Sequence, residues 1–207
     1  MTSFLLDDAQ VPEDEKKKAA QTAQQYYHLA YTYTQRHQGK LYVMSGISGT
    51  GKSFVGRAIA QHSNAVHIRT DAVRKHLAGI GLNETGSPDI YSPEMSRNTY
   101  ARLAELGKLL VEQGFTVVLD GKYDRLAWRT PLLDYAQNTD IPLQFVHCTA
   151  PMDILRDRLQ TRQGDISDAT TDLLNQQKKQ AEAFQEREKP YTVTVDTSQD
   201  WDVETLV

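Results

Sequence analysis

Apolar positions along the chain alternate between two rhythms. Short runs dense in β-branched and other apolar residues occur at 41–45, 66–70, 115–119, 143–148 and 192–195, and longer stretches with helical spacing lie between them at 52–62, 72–78, 94–113, 125–137, 151–162 and 168–188. Strands buried on both faces need nearly continuous apolar runs, and crossover helices supply the cover. The alternation therefore predicts an α/β fold, a three-layer sandwich with a five-stranded parallel sheet in the middle. Ligands of such sheets bind at the carboxyl ends of the strands. Upstream, 13–37 contains neither Pro nor Gly and spaces Ala23, Tyr26, Tyr27, Ala30, Tyr31 and Tyr33 on a helical period, so one amphipathic helix is expected before Gly39. The chain thus divides into a tail and helix over 1–38 and a domain over 39–207, with a helical lid around 151–168.

Two segments interrupt the rhythm. Residues 79–93 hold Gly79, Gly81, Gly86, Pro88 and Pro93, too many breakers for a helix and too few β-formers for a strand, which predicts a mobile loop. Gln163-Gly164-Asp165-Ile166-Ser167-Asp168 separates two helical patterns, with Gly164 suited to end one and Ser167 or Asp168 to start the next. The charge run Glu13-Asp14-Glu15-Lys16-Lys17-Lys18 reads as the solvated first turns of the N-terminal helix, its acids ahead of its bases as the helix dipole favours.

Composition narrows the class. At 207 residues the chain can bury one good core with a short appendage, and 39% hydrophobic with 24% charged residues is ordinary for a globular protein. No apolar stretch reaches membrane-spanning length, and the first residues lack the basic region and apolar run of a signal peptide, so a cytoplasmic location is expected. The single cysteine, Cys148, excludes an internal disulfide and falls in a strand-like run where packing is its expected role. A net charge of −4 gives no overall basic footprint for nucleic acid. The six histidines show no metal-binding spacing.

Chemistry enters with Gly46-Ile47-Ser48-Gly49-Thr50-Gly51-Lys52-Ser53, between the first predicted strand and the first crossover helix. This is the spelling and the setting of a phosphate-binding P-loop. Glycines let the backbone wrap an anion, so that successive N–H groups and the helix N-terminus point at the phosphates. Gly46, Ser48, Gly49, Thr50, Gly51, Lys52 and Ser53 are the nucleotide-binding set, Lys52 reaching the β- and γ-phosphates of ATP and Ser53 ligating Mg²⁺. The fold class is accordingly a P-loop NTPase.

The other strand ends supply further groups. Asp71 and Arg74 follow the second strand on the first turn of a helix, where a carboxylate can take the proton of an attacking hydroxyl; an N-cap and a surface arginine are the competing roles. Asp120 ends the third strand as a Walker B acid would, and competes with Asp71 for the metal and base roles; spacing alone leaves both open. Arg158 and Arg162, four apart on one helical face, suit a lid that places positive charge over the transferred phosphoryl group, or equally a solvated face paired with Asp157 or Asp165.

In combination these residues resemble a known group. The P-loop, then Thr70-Asp71-Ala72-Val73-Arg74-Lys75-His76-Leu77, Tyr91-Ser92-Pro93-Glu94, Val118-Leu119-Asp120 and finally Arg158, Arg162 and Asp165-Ile166-Ser167-Asp168-Ala169 are similar to the P-loop kinases often grouped with AAA-family ATPases. Zeta toxins, chloramphenicol phosphotransferase and the kinase domain of phage polynucleotide kinase are more distant relatives. The resemblance spans about 40–197. It implies Asp71 as general base, Arg74 as a substrate or phosphate contact, and Arg158 and Arg162 as catalytic lid arginines. At Asp120 it leaves metal and substrate roles open, and Lys122 with Tyr123 departs from the small or apolar residues expected after that acid. Some members of the group carry a Tyr- and Ala-rich helix before the P-loop strand, behind a fused domain. Here the helix is either the remnant of such a fusion, packed on the body or pairing two protomers as a homodimer, or an extra helix over the sheet.

The expectation is an ATP- and Mg²⁺-dependent kinase acting on a hydroxyl of a small molecule or nucleotide, with Arg97, Tyr100 and 122–125 shaping the acceptor site. A 5′-hydroxyl polynucleotide kinase is the first alternative, disfavoured by the overall acidity and by Asp89, Glu94 and Asp124 near the mouth. A regulatory ATP-binding switch with weak ATPase activity is the second.

Overall fold

The strand-forming runs assemble into a single sheet in a computed structural model that describes residues 10–34, 38–161 and 173–207. The strands are β1 (Leu41–Ser45), β2 (Val66–Arg69), β3 (Val117–Asp120), β4 (Leu143–Thr149) and β5 (Thr192–Asp196), in the order β2-β3-β1-β4-β5. All pairs are parallel. The chain leaves central β1 first for one side of the sheet and later for the other. Such a reversal opens a crevice at the carboxyl end of the strands.

Alternation along β1 serves both faces. Leu41 and Val43 join Tyr100, Leu103, Leu119, Leu132 and Phe145 in one cluster, under α4 (Pro93–Glu112) and α5 (Leu126–Thr139). Tyr42 and Met44 join Val55, Ile59, Val146 and Cys148 in the other, under α2 (Lys52–His62). Each fully buried aliphatic side chain contributes about 1.5–3 kcal/mol. A third cluster, Leu155, Leu159 and Leu174, joins α6 (Met152–Thr161) to α7 (Leu173–Gln180), with Ile47 of the P-loop against it.

The chain falls into two compact units, 1–37 and 38–207. The first holds α1 (Glu13–Thr34), with its three acids in the first turn. In the second, α3 (Thr70–Leu77) starts two residues earlier than its periodicity predicts. One expectation needs correction. The pattern over 168–188 is helical only across Leu173–Gln180 among the described residues, because 181–188 is recruited into tertiary hydrogen bonds. Glu182 N–H donates to the Asp124 carbonyl at 2.7 Å, and Arg129 donates to the carbonyls of Glu182 and Ala183 at 3.2 Å each. Along the 79–93 loop, Lys75 Nζ donates to Leu82 O at 3.1 Å, Arg74 donates to Ile90 O at 3.1 Å, and Pro88–Tyr91 forms a 3-10 turn that contains buried Ile90.

Candidate active site

The P-loop turns at the end of β1 because its glycines can. Gly46 has φ +138°, and a Cβ there would stand 2.5 Å from the Cys148 carbonyl oxygen. Gly51 caps α2 in the left-handed region at φ 77°, with no side-chain cap, so the first turn of α2 offers its N–H groups to an anion. Thr50 Oγ1 and Lys52 Nζ donate to the Ile47 carbonyl at 2.8 and 3.3 Å. Ser48, Gly49, Gly51, Lys52 and Ser53 border a cleft of about 1060 Å³. Gly46 and Thr50 do not border it: Gly46 N–H donates to the Lys122 carbonyl at 2.9 Å, and the Thr50 carbonyl accepts from Thr197.

Asp120 and Asp71 border the same cleft from adjacent strand ends. Asp120 is in register with Met44 of β1 and Arg69 of β2, beside the P-loop, and Asp71 lies two residues beyond Arg69. Asp71 is the second residue of α3, whose N-cap is Arg69, so capping is not its role. Burial alone would raise the Asp120 pKa. The neighbouring His67 imidazole, the charge of Lys52 and the Ser53 hydroxyl outweigh it and hold the carboxyl below its ordinary value. His67 Nε2 and Arg69 Nε lie 3.3 and 3.4 Å from Asp120 Oδ2, which is buried and makes no hydrogen bond. A buried, charged oxygen beside the P-loop serine fits a hydrated Mg²⁺ ion, whose shell would supply the missing contacts. No group of three or more His, Cys, Asp or Glu among the described residues could hold a metal by itself.

On one side of the loop, Gly51, Phe54, Arg158, Thr197 and Trp201 enclose a recess of about 290 Å³. Phe54 and Trp201 meet edge to face at 5.9 Å. Arg158 donates to Thr197 Oγ1 and O at 2.8 Å each and to Gly49 O at 3.2 Å, so α6 delivers its guanidinium to the edge of the P-loop, where it borders recess and cleft alike. Arg162 lies outside the described residues, as does the 163–168 segment.

Arg74, Arg97, Tyr100, Lys122, Asp124, Arg125 and Trp128 border the same cleft. Arg74, buried in α3, donates to Ile90 O and to Ser96 Oγ and lies 5.1 Å from the Tyr91 ring centre. Lys122 Nζ pairs with Asp124 Oδ2 at 3.3 Å. Arg97 and Arg125 are exposed on the rim. Trp128 stacks on Tyr100 at 4.7 Å with the planes 8° apart, making an aromatic wall. Burial and the Asp124 charge push the Tyr100 phenol well above its ordinary pKa, so it stays protonated.

Phe54, Trp128, Thr197, Trp201 and the glutamines of α7 belong to this site without any signal in the motifs. Gln177 Oε1 accepts from Ser48 N–H at 2.9 Å. The spacing Leu174–Gln177 could have flagged it, as a polar residue one turn along the apolar stripe.

Residues 41–184 match the family described as AAA domain. An uncharacterized protein of Mycobacterium tuberculosis is 31% identical over 163 residues, covering 76% of this chain and 32% of that protein; the chain spans about a third of the length of the curated relatives it matches. Among solved structures, a gluconokinase from Sinorhizobium meliloti 1021 has a TM-score of 0.52 at 27% identity, over 80% of this chain and 86% of the other. A sugar kinase from Janibacter sp. HTCC2649 has a TM-score of 0.57 at 20% identity, over 81% and 90%, a likeness of fold alone. The fold is that of the P-loop kinases.

Proposed function

The chain belongs to the AAA domain family, and from that membership and the layout of its cleft we propose that it is an ATP-dependent kinase that transfers the γ-phosphoryl group to a hydroxyl of a small molecule. The observation that carries this is one continuous cleft bordered both by the P-loop and by Asp71, Arg97 and Lys122, so that donor and acceptor can share it. The gluconokinase that is 27% identical supports the same reaction class.

In this mechanism the nucleobase occupies the recess at Phe54 and Trp201, and the phosphates run along the P-loop to Lys52. Asp71 accepts the proton of the acceptor hydroxyl as its oxygen attacks the γ-phosphorus in line; the bond from that phosphorus to the β,γ-bridging oxygen breaks, and ADP leaves. Mg²⁺, held through Ser53 and Asp120, would neutralise charge on the β- and γ-phosphate oxygens. Lys52 and the lid arginines Arg158 and Arg162 stabilise the same charge from the protein side. Arg74, Arg97, Lys122 and the Tyr100–Trp128 wall orient the acceptor, and Asp120 keeps Lys52 and Ser53 in place.

The test is ATP consumption across sugars, nucleosides, antibiotics and 5′-hydroxyl oligonucleotides, with Lys52→Ala as control. Acceleration by a small hydroxyl compound, abolished in the Lys52 variant, is the expected result. Acceleration by oligonucleotides alone points to a polynucleotide kinase, and slow hydrolysis that no acceptor changes points to a regulatory switch.

A further inference from the structure

We propose that Gln177 is a further phosphate-binding residue whose side-chain amide contacts the γ-phosphate and so distinguishes ATP from ADP. The assignment rests on the nucleotide role of the P-loop given above.

The Gln177 carboxamide is held in one orientation. Ser48 N–H can only donate, so the amide presents its carbonyl oxygen to it, at 2.9 Å. The –NH₂ arm is then left as a donor on the wall of the cleft that Lys52 and Ser53 also border. Packing fixes this position. Leu174, one turn earlier on α7, is 1% exposed against Leu155 and Leu159, and Gln177 itself is 9% exposed. Further along α7, Gln180 Oε1 accepts from Arg125 at 3.2 Å, so the helix is anchored on the acceptor side as well.

Which phosphate the amide meets follows from the two cavities. The recess of Phe54 and Trp201 marks the base end of the loop, and Ser48 does not border it; Ser48 borders only the large cleft that contains Asp71. A nucleotide laid along the loop therefore brings its terminal phosphate to Ser48 and Gln177. There the amide keeps Ser48 N–H on its oxygen and donates an N–H to a γ-phosphate oxygen, a charge-assisted bond that ADP, lacking that phosphate, cannot make.

Gln177→Glu isolates the donor. The isosteric carboxylate can still accept from Ser48 N–H, but it sets a negative charge against the γ-phosphate. Calorimetric titration of the full chain with AMP-PNP and with ADP, both with Mg²⁺, is expected to show AMP-PNP binding weakened by roughly tenfold or more while ADP binding stays within about twofold. Gln177→Ala is expected to shift the same ratio in the same direction. Equal losses for both nucleotides would make Gln177 only an anchor of α7, and tighter AMP-PNP binding by the alanine variant would make it only a plug of the empty loop; either result overturns the assignment. The titration needs no acceptor. A collapse of the AMP-PNP to ADP ratio in a protein that phosphorylates nothing would sink the kinase mechanism and leave the γ-phosphate contact standing.

Discussion

Asp120 keeps its charge in a buried position because its surroundings over-compensate for burial, and that has a consequence for stability. A carboxyl whose folded-state pKa lies below its unfolded value of about 3.9 stabilises the fold fully above that value, and the contribution is lost as the pH falls through the folded pKa. The stability difference between wild type and Asp120→Asn should therefore be full at pH 7 and shrink below about pH 4. Urea unfolding of both proteins across that range measures it, and a difference that does not change with pH would contradict the charged assignment. Cys148 shows the opposite outcome of burial. Its thiol is pushed up to about 12, chiefly by burial, and it is fully buried between the sheet and α2. It should fail to react with a thiol reagent at pH 8 in the native protein and react stoichiometrically once unfolded; rapid native labelling would show that the packing role is wrong.

The elements show how far local pattern reaches. Runs of apolar residues placed all five strands to within two residues, and α2 was bounded correctly at both ends, because a central parallel sheet imposes its pattern locally. The segment after α7 departs from its helical pattern for a non-local reason. Arg129, fully buried, pairs with Glu188 at 2.6 Å and donates to backbone carbonyls of Tyr123, Glu182 and Ala183; nothing near 181–188 announces a partner more than fifty residues away. The same limit hid Gln177, whose partner Ser48 is 129 residues distant and whose own stretch, Leu-Leu-Asn-Gln-Gln-Lys-Lys-Gln, looks like an ordinary surface helix. Arg129→Ala leaves a buried carboxylate without its partner, and a loss of about 3–5 kcal/mol in denaturant unfolding is expected, with Arg129→Met costing less than the alanine variant when Glu188 is replaced by Gln in both. A loss within about 0.5 kcal/mol, as at a plain surface site, would mean that this pair does not hold the segment.

At the scale of the whole molecule, the sheet order sets the chemistry. Placing β3 between β1 and β2 brings Asp120 beside the P-loop and Asp71 next to it along the same edge of the sheet, while β4 and β5 on the other side carry Arg158 and Thr197 to the recess that Phe54 and Trp201 line. The positions of the P-loop, Asp71 and Asp120 were legible in the sequence because each sits at a strand end, and all three border one cleft. The aromatic wall of the cleft was less so, since the Tyr100–Trp128 stack joins α4 to α5 and exists only in the folded chain. Proton transfer from the acceptor hydroxyl hinges on Asp71. The most direct measurement is acceptor-dependent ADP formation by wild type and by Asp71→Asn, with ATP affinity determined in parallel. ATP affinity is expected to stay within about twofold and transfer to slow by about 10²–10⁴-fold, the range of a lost general base; intact ATP binding with undiminished transfer would rule out Asp71 as the base.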